Sequence, residues 1–134
     1  MTRVLALDYG SARCGCALSD PSGTLATPLE AIDDPASEEG IAKLSRLVAE
    51  RDVESVIVGL PIGLAGREGP QAREAQGFAE RLRAALPVPV ETHDERFTTK
   101  LARQTGGRAS EDSRAAAHLL ASYLNARAAG SRSE

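Results

Sequence analysis

The chain has 134 residues, enough for one domain with a single hydrophobic core. Its apolar content of 42% is ordinary for a globular protein. No stretch approaches the ~20 apolar residues that span a bilayer, and no signal-peptide pattern is present. We therefore expect a cytoplasmic protein without a membrane partner. The formal net charge of −3 argues against a strongly basic nucleic-acid-binding surface but does not exclude nucleic acid, because an acidic metal site counts as negative and is neutralised in use.

Three short strands in a meander are predicted at the start of the chain. Residues 2–8 form the first strand and, after a tight turn, residues 13–20 form the second. The sequence DPSGT then carries strong turn chemistry and leads to a third strand at residues 25–32. Proline cannot donate a ladder hydrogen bond, so Pro28 indicates an edge strand or a bulge.

Helices and strands alternate through the rest of the chain. The predicted elements are a helix at about 37–51, a strand buried on both faces at 54–60, a glycine-rich loop at 59–69, a helix opened by Pro70, a strand at 88–94, a short helix at 98–104, a turn at 105–110 and a final helix at 111–128. This order predicts an α/β fold, a mixed sheet with helices on both faces, in one domain at residues 1–128 followed by a flexible tail at 129–134.

Two cysteines lie two positions apart in the second predicted strand, so Cys14 and Cys16 share one face. The chain has no other cysteine to complete a zinc site, and His93 and His118 are distant in sequence. We therefore expect both thiols to be small core residues, with oxidation or intermolecular pairing as the alternative.

Three acidic residues occur where solvation alone does not explain them. Asp8 ends the first predicted strand, Glu95 follows the last, and Asp112 lies in the first turn of the final helix. Asp112 shares a helical stripe with three further residues at spacings of four, three and four: Ala116, Leu119 and Tyr123.

Each acid also has an ordinary structural explanation. Asp8 could cap a turn, Asp112 could complement a helix N-terminus by roughly 0.3–1 kcal/mol, and Glu95 could pair with an arginine. Together, however, three neighbouring carboxylates repel one another, and burying an uncompensated ion is costly. Hard divalent cations remove both penalties because Mg²⁺ and Mn²⁺ prefer carboxylate oxygens and water. Sequence periodicity alone leaves open whether the three acids converge.

Four ordered motifs carry a resemblance to a known family. They are ALDYGSARCGCALSD at 6–20, VIVGLPIGLAGREGPQA at 56–72, HDERFTT at 93–99 and EDSRAAAHLLASYL at 111–124. In this order the chain resembles the YqgF/RuvX family of pre-16S rRNA nucleases, also called Holliday-junction-resolvase-like proteins. The resemblance implies a ribonuclease-H-like fold, with a five-stranded mixed sheet whose first and fourth strands lie side by side.

The resemblance also implies a site. By their positions in the motifs, Asp8, Glu95 and Asp112 are the expected catalytic residues and the ligands of two Mg²⁺ or Mn²⁺ ions. Such ions, about 4 Å apart, activate water and stabilise an in-line displacement at phosphorus. Asp94 is a neighbouring acid. Two arginines and two glycines are expected to contact the substrate: Arg67, Arg96, Gly59 and Gly66.

Each of these contact residues also has an ordinary structural explanation. Either arginine could be a solvated or ion-paired surface residue, and either glycine could serve a loop that needs positive φ. His93 could move protons, but a lone histidine is more often structural.

The expected function is metal-dependent hydrolysis of phosphodiester bonds, with the 5′ end of pre-16S rRNA as the implied substrate. A Holliday junction resolvase acting on branched DNA is the alternative within enzymes, and it would need a dimer, whereas the nuclease could be a monomer or a homodimer. A non-catalytic RNA-binding scaffold is a third reading, which the scarcity of aromatic residues for base stacking disfavours. An actin-like ATPase fragment is a fourth, but the chain is too short for two such lobes.

Overall fold

A computed structural model describes residues 3–22, 25–60, 69–94 and 111–132. Within these ranges there are five strands and three helices. In chain order they are β1 Val4–Asp8, β2 Arg13–Ser19, β3 Ala26–Asp33, α1 Glu38–Glu50, β4 Ser55–Leu60, α2 Pro70–Ala85, β5 Val90–Asp94 and α3 Glu111–Arg132. The predicted short helix at 98–104, the turn at 105–110 and most of the glycine-rich loop lie outside the described residues.

The five strands form one mixed sheet in the order β3-β2-β1-β4-β5. The meander β1-β2-β3 is antiparallel, whereas β1 pairs with β4, and β4 with β5, in parallel. The prediction that the first and fourth strands lie side by side is therefore confirmed. Pro28 lies in the edge strand β3, as predicted, where its missing N–H costs the sheet least.

Helices cover both faces of the sheet, and the residues of β1 show how the faces divide. Leu5 and Leu7 belong to the larger core, which packs against α1 and α2, while Val4 and Ala6 belong to the smaller core under α3. Side chains alternate along a strand, so each face receives every second residue of β1. A fully buried central strand therefore reads as a continuous apolar run, which is how the sequence of β4 also reads.

The two helices on the larger core begin where their sequences predict. The hydroxyl of Ser37 caps α1 by accepting a hydrogen bond from the Gly40 N–H at 3.0 Å. Pro70 opens α2, where its missing N–H would have had no helical partner. Phe78 of α2 is one of the largest fully buried side chains.

The final helix is longer than predicted. It was expected to end at residue 128 with a tail at 129–134, but α3 continues to Arg132. Ala128 and Ala129 belong to the residue type with the highest helix propensity, and α3 continues through Gly130 although glycine costs roughly 1 kcal/mol relative to alanine in a helix. The predicted boundary at 128 is therefore wrong, and residues 129–132 belong to α3.

The two cysteines are core residues, as predicted. Cys14 and Cys16 are both buried, unoxidised and on the face that packs against α1 and α2. None of the helices in the described part of the chain combines the length and apolar character that crossing a membrane requires.

Candidate functional site

The carboxyl ends of the three mutually parallel strands meet at one edge of the sheet. Asp8 ends β1, Leu60 ends β4 and Asp94 ends β5, and the pairing of Leu60 with Asp94 aligns the last two. In open α/β sheets this edge is where ligands bind. The first turn of α3 reaches the same edge, as its contacts with β2 show.

Asp8 lies on the face of the sheet that α3 covers. It continues the alternation of Val4 and Ala6, which pack under α3, and it is half-buried. On one side it pairs with Gly15 of β2. On the other side Leu7 pairs with Val58 of β4, so Gly59 is the next residue along that strand. The residues directly beside Asp8 on both neighbouring strands are therefore glycines, which carry no side chain.

A buried hydrogen bond fixes the start of α3 next to this carboxylate. The Cys16 N–H donates to the hydroxyl of Ser113 at 3.3 Å, and Ser113 is completely buried. Cys16 directly follows Gly15, the pairing partner of Asp8. Because Asp112 precedes Ser113, the backbone of Asp112 is held at the same end of β2. The side chain of Asp112 lies outside the described part of the structure.

Ser113 was not recognised from the sequence. The sequence feature that could have identified it is a small polar residue at a core position. Ser113 lies on one stripe of α3 with Ala116 and Leu120, and all three are buried. A buried hydroxyl needs a hydrogen-bond partner, so this position predicted a specific contact rather than general packing.

The middle of α3 reaches β5, two strands beyond Asp8, through Tyr123. The rings of His93 and Tyr123 meet edge to face with centroids 5.7 Å apart. The Tyr123 hydroxyl also donates to the Glu91 carboxylate at 3.2 Å. Helix α3 is thus attached to β2 near its start and to β5 through Tyr123, and it covers the face of the sheet on which Asp8 lies. His93, considered from the sequence as a possible proton carrier, contributes a structural contact here.

On the opposite face, Tyr9 packs against α2. Its ring centroid is 4.7 Å from that of Phe78. Burial raises the pKa of the Tyr9 phenol above its usual 10.0, and the negative charges of Glu74 and of a Cys14 thiolate raise the pKa further. Tyr9 therefore remains a neutral hydrogen-bonding group at physiological pH.

The turn after Tyr9 is closed too tightly for any residue but glycine. A Cβ on Gly10 would lie 2.6 Å from the carbonyl oxygen of Arg13, closer than real Cβ contacts allow. The backbone N–H of Asp34 donates to the Ala12 carbonyl at 2.9 Å and ties this turn to the end of β3. The turn that follows Asp8 is therefore fixed at two points, by the close contact of Gly10 with the Arg13 carbonyl and by the hydrogen bond from Asp34 to Ala12.

Of the predicted site residues, the structure brings Asp8, Gly59 and the backbone of Asp112 to one edge of the sheet. Gly59 is buried, so its direct contact with a substrate stays a prediction. Glu95, Arg96, Arg67 and Gly66 lie outside the described residues. Among the described side chains, which include Asp8 but neither Glu95 nor Asp112, no three His, Cys, Asp or Glu groups are arranged to hold a metal ion.

Sequence comparison places the chain among known proteins. Residues 2–126 match a family model described as "RuvX: Holliday junction resolvase". A protein of Chloroflexus aurantiacus named "Putative pre-16S rRNA nuclease" is 43% identical over 133 residues, covering 92% of this chain and 87% of the relative. A protein of Mycobacterium bovis with the same name is 44% identical over 137 residues, covering 95% of this chain and 81% of the relative.

Structural comparison agrees with the fold. RuvC of Thermus thermophilus, solved in complex with a Holliday junction substrate, superposes with a TM-score of 0.62 over 96% of both chains at 17% identity. The fowlpox virus resolvase, solved with Holliday junction DNA, superposes with a TM-score of 0.59 over 94% of this chain and 99% of the resolvase at 11% identity. At these identities the match establishes the fold, which is the predicted ribonuclease-H-like α/β fold.

Proposed function

This chain belongs to the RuvX family, and from that membership we propose that it is a divalent-metal-dependent nuclease that hydrolyses phosphodiester bonds during processing of the 5′ end of pre-16S rRNA. Relatives that bear the name of such a nuclease align with more than nine-tenths of the chain. The observation that carries the proposal is the placement of Asp8, half-buried at the carboxyl edge of the sheet, between two glycines and beside the anchored start of α3.

The residues of this edge suit a hard divalent cation. A half-buried carboxylate between glycines on both neighbouring strands leaves room for a cation, and a bound cation would offset the cost of burying its charge. Asp8, Glu95 and Asp112 would hold Mg²⁺ or Mn²⁺, the ions that prefer carboxylate oxygens. A pair of such ions supplies activation of the attacking water and stabilisation of the charge that develops at phosphorus.

The chain's own residues orient and hold this site. Asp8 is fixed by the pairing of β1 with strands on both sides, and Asp112 by the hydrogen bond that its neighbour Ser113 accepts from β2. Arg67 and Arg96 follow β4 and β5 in sequence, and we assign them to the phosphates of the substrate because arginine binds phosphate in a bidentate manner. Gly66 admits the backbone of the nucleic acid, and Gly59 keeps side chains away from Asp8.

A cleavage assay tests the proposal. The substrates are a pre-16S rRNA leader, an unstructured single strand and a four-way DNA junction, each with Mg²⁺ or Mn²⁺. We expect the wild-type protein to cut the leader, and Asp8→Asn, Glu95→Gln and Asp112→Asn each to abolish cutting while the circular dichroism spectrum stays native. Cutting that survives all three changes would remove these residues from the active site. Tight binding of the leader by a wild-type protein that does not cut would instead identify a scaffold.

Resolution of Holliday junctions is the second candidate, because the matching family model carries that description. A resolvase makes two symmetric cuts and therefore needs two sites in a homodimer. Symmetric cutting of the four-way junction, with the leader left intact, would replace the proposed substrate by branched DNA. In either case the partner is nucleic acid, and the proposed location is the cytoplasm, where pre-rRNA is processed.

A further inference from the structure

An exposed arginine lies near Asp8 on the same face of the sheet. Arg13 is the first residue of β2, and Gly15, two positions along, pairs with Asp8. Cys14 packs into the core on the opposite face, so alternation places Arg13 on the face of Asp8 and Gly15. Arg13 and Asp8 are therefore diagonal neighbours across two antiparallel strands, a relation that puts their Cα atoms roughly 7–8 Å apart and within reach of long side chains.

The backbone of Arg13 is fixed relative to Asp8. Its carbonyl oxygen faces Gly10 across the tight turn, where even a Cβ would not fit. Ala12, the preceding residue, accepts a hydrogen bond from the Asp34 N–H, and Cys14, the following residue, is completely buried. A long, charged side chain thus extends from a rigid base at the edge of the sheet where Asp8 lies.

We propose that Arg13 binds a phosphate of the nucleic-acid strand adjacent to the phosphate that is cut. The inference rests on the proposed nuclease function and adds a residue outside the four contacts expected from the sequence motifs. The chain is acidic overall, so binding a polyanion depends on local cations. Its guanidinium presents a planar fork of donors to the phosphate oxygens, and the fixed backbone of the turn sets the distance of that phosphate from Asp8.

Arg13 also has a possible structural task. It pairs directly with Asp33 of β3, an exposed acidic residue, and directly opposed residues of unlike charge attract each other across strands. The two explanations differ in one consequence. If Arg13 served only this cross-strand pair, neutralising Asp33 would have the same effect as neutralising Arg13. If Arg13 binds phosphate, only the loss of Arg13 weakens binding of the substrate.

The test measures single-turnover cleavage of a single-stranded leader RNA as a function of enzyme concentration, which separates the half-saturating concentration from the maximal rate. The proteins are the wild type, Arg13→Gln, Arg13→Lys, Asp33→Asn and Arg46→Gln. Arg46 is an exposed arginine of α1, the helix that packs on the face of the sheet opposite to the one that carries Arg13. Each series is repeated between 50 and 200 mM KCl.

For Arg13→Gln we expect the half-saturating concentration to rise about tenfold, the effect of losing one charge-assisted hydrogen bond. We also expect its logarithmic dependence on salt to become shallower by about 0.7, the change for one phosphate contact on a single strand. Arg13→Lys keeps the charge and should keep the salt dependence. Asp33→Asn and Arg46→Gln should leave the half-saturating concentration within twofold of the wild-type value. Neither change should make the salt dependence shallower.

Two results would overturn the assignment. One is an unchanged salt dependence in Arg13→Gln, and the other is an equal loss in Arg13→Gln and Asp33→Asn, which would make the cross-strand pair sufficient. A wild-type protein that cuts no nucleic acid would instead reject the proposed function itself, so the two failures are distinguishable.

Discussion

The Ser113 hydroxyl accepts a hydrogen bond from the backbone N–H of Cys16 at 3.3 Å, inside the protein and across 97 positions of sequence. This contact connects α3 to the strand that pairs with the end of β1. It thereby relates the position of Asp112 to that of Asp8, although no contact between the two acids is described.

Removing this hydroxyl should lower the stability of the folded protein and slow its cleavage of the substrate. Ser113→Ala leaves the Cys16 N–H buried without this acceptor, and we expect the free energy of unfolding to fall by about 1–3 kcal/mol. Because Asp112 would lose its fixed position, single-turnover cleavage should also slow. Urea denaturation measures the first effect. Ser45→Ala, on a half-exposed position of α1, is the control and should change stability by less than about 0.5 kcal/mol.

Divalent metal should stabilise the folded protein through Asp8. A ligand that binds only the native state raises its stability by about 2.7 kcal/mol at a hundredfold excess over Kd. We therefore expect the Tm of the wild type to rise with Mn²⁺ and to return on addition of EDTA. Asp8→Asn should lose the response, whereas Asp52→Asn, at the opposite edge of the sheet near Arg3, should keep it. A full response in Asp8→Asn would place the ion elsewhere.

Two substitutions of glycine by alanine should change the free energy of unfolding in opposite directions. Gly10→Ala forces a methyl group to within 2.6 Å of the Arg13 carbonyl oxygen, which belongs to the backbone and cannot rotate away. We expect a loss of roughly 1–3 kcal/mol, typical of overpacking. Gly77→Ala, in α2, meets no atom within 4 Å and should stabilise the protein by roughly 0.4–1 kcal/mol because alanine favours the helix. Thermal or urea unfolding compares the pair, and equal effects would contradict the closed geometry of the turn.

The ionisation of Tyr9 should reflect its surroundings. Absorbance titration in a Tyr123→Phe background, which leaves Tyr9 as the only tyrosine, should give a pKa above 10.0. Glu74→Gln should lower this pKa only in part, because burial is the larger cause. The phenol resists ionisation more in the folded than in the unfolded chain, so its contribution to stability is complete below pH 10 and declines as the pH rises through the folded pKa. A pKa at or below 10.0 would contradict the packing of Tyr9 on Phe78.

The fold was largely predictable because its elements carry strong local signals. The continuous apolar run of β4, Pro70 at the start of α2 and the capping Ser37 of α1 each determine local structure with residues close in sequence. The end of α3 was not predicted, because Gly130 suggested a stop while the adjoining alanines favour continuation.

The candidate site was predictable only in part, for a different reason. Asp8 could be recognised because a charge at the end of an apolar strand is costly. The contact between Ser113 and Cys16 joins distant segments, and no periodicity in either one specifies the partner. The position of Arg13 on the same face as Asp8 likewise depends on the register of β1 and β2, which the tight turn at Gly10 sets. The metal and catalytic roles of the three acids and the substrate contacts of the two arginines and two glycines all stay predictions: Asp8, Glu95, Asp112, Arg67, Arg96, Gly59 and Gly66.

The long sequence separation between β1 and α3 has a consequence for synthesis. During translation the strand that carries Asp8 emerges early, whereas the helix that contains Asp112 emerges about a hundred codons later. A growing polypeptide attached to the ribosome therefore lacks the helix that packs on the face of Asp8 until α3 has left the exit tunnel. Any activity that requires both Asp8 and Asp112 must then await synthesis of nearly the whole chain.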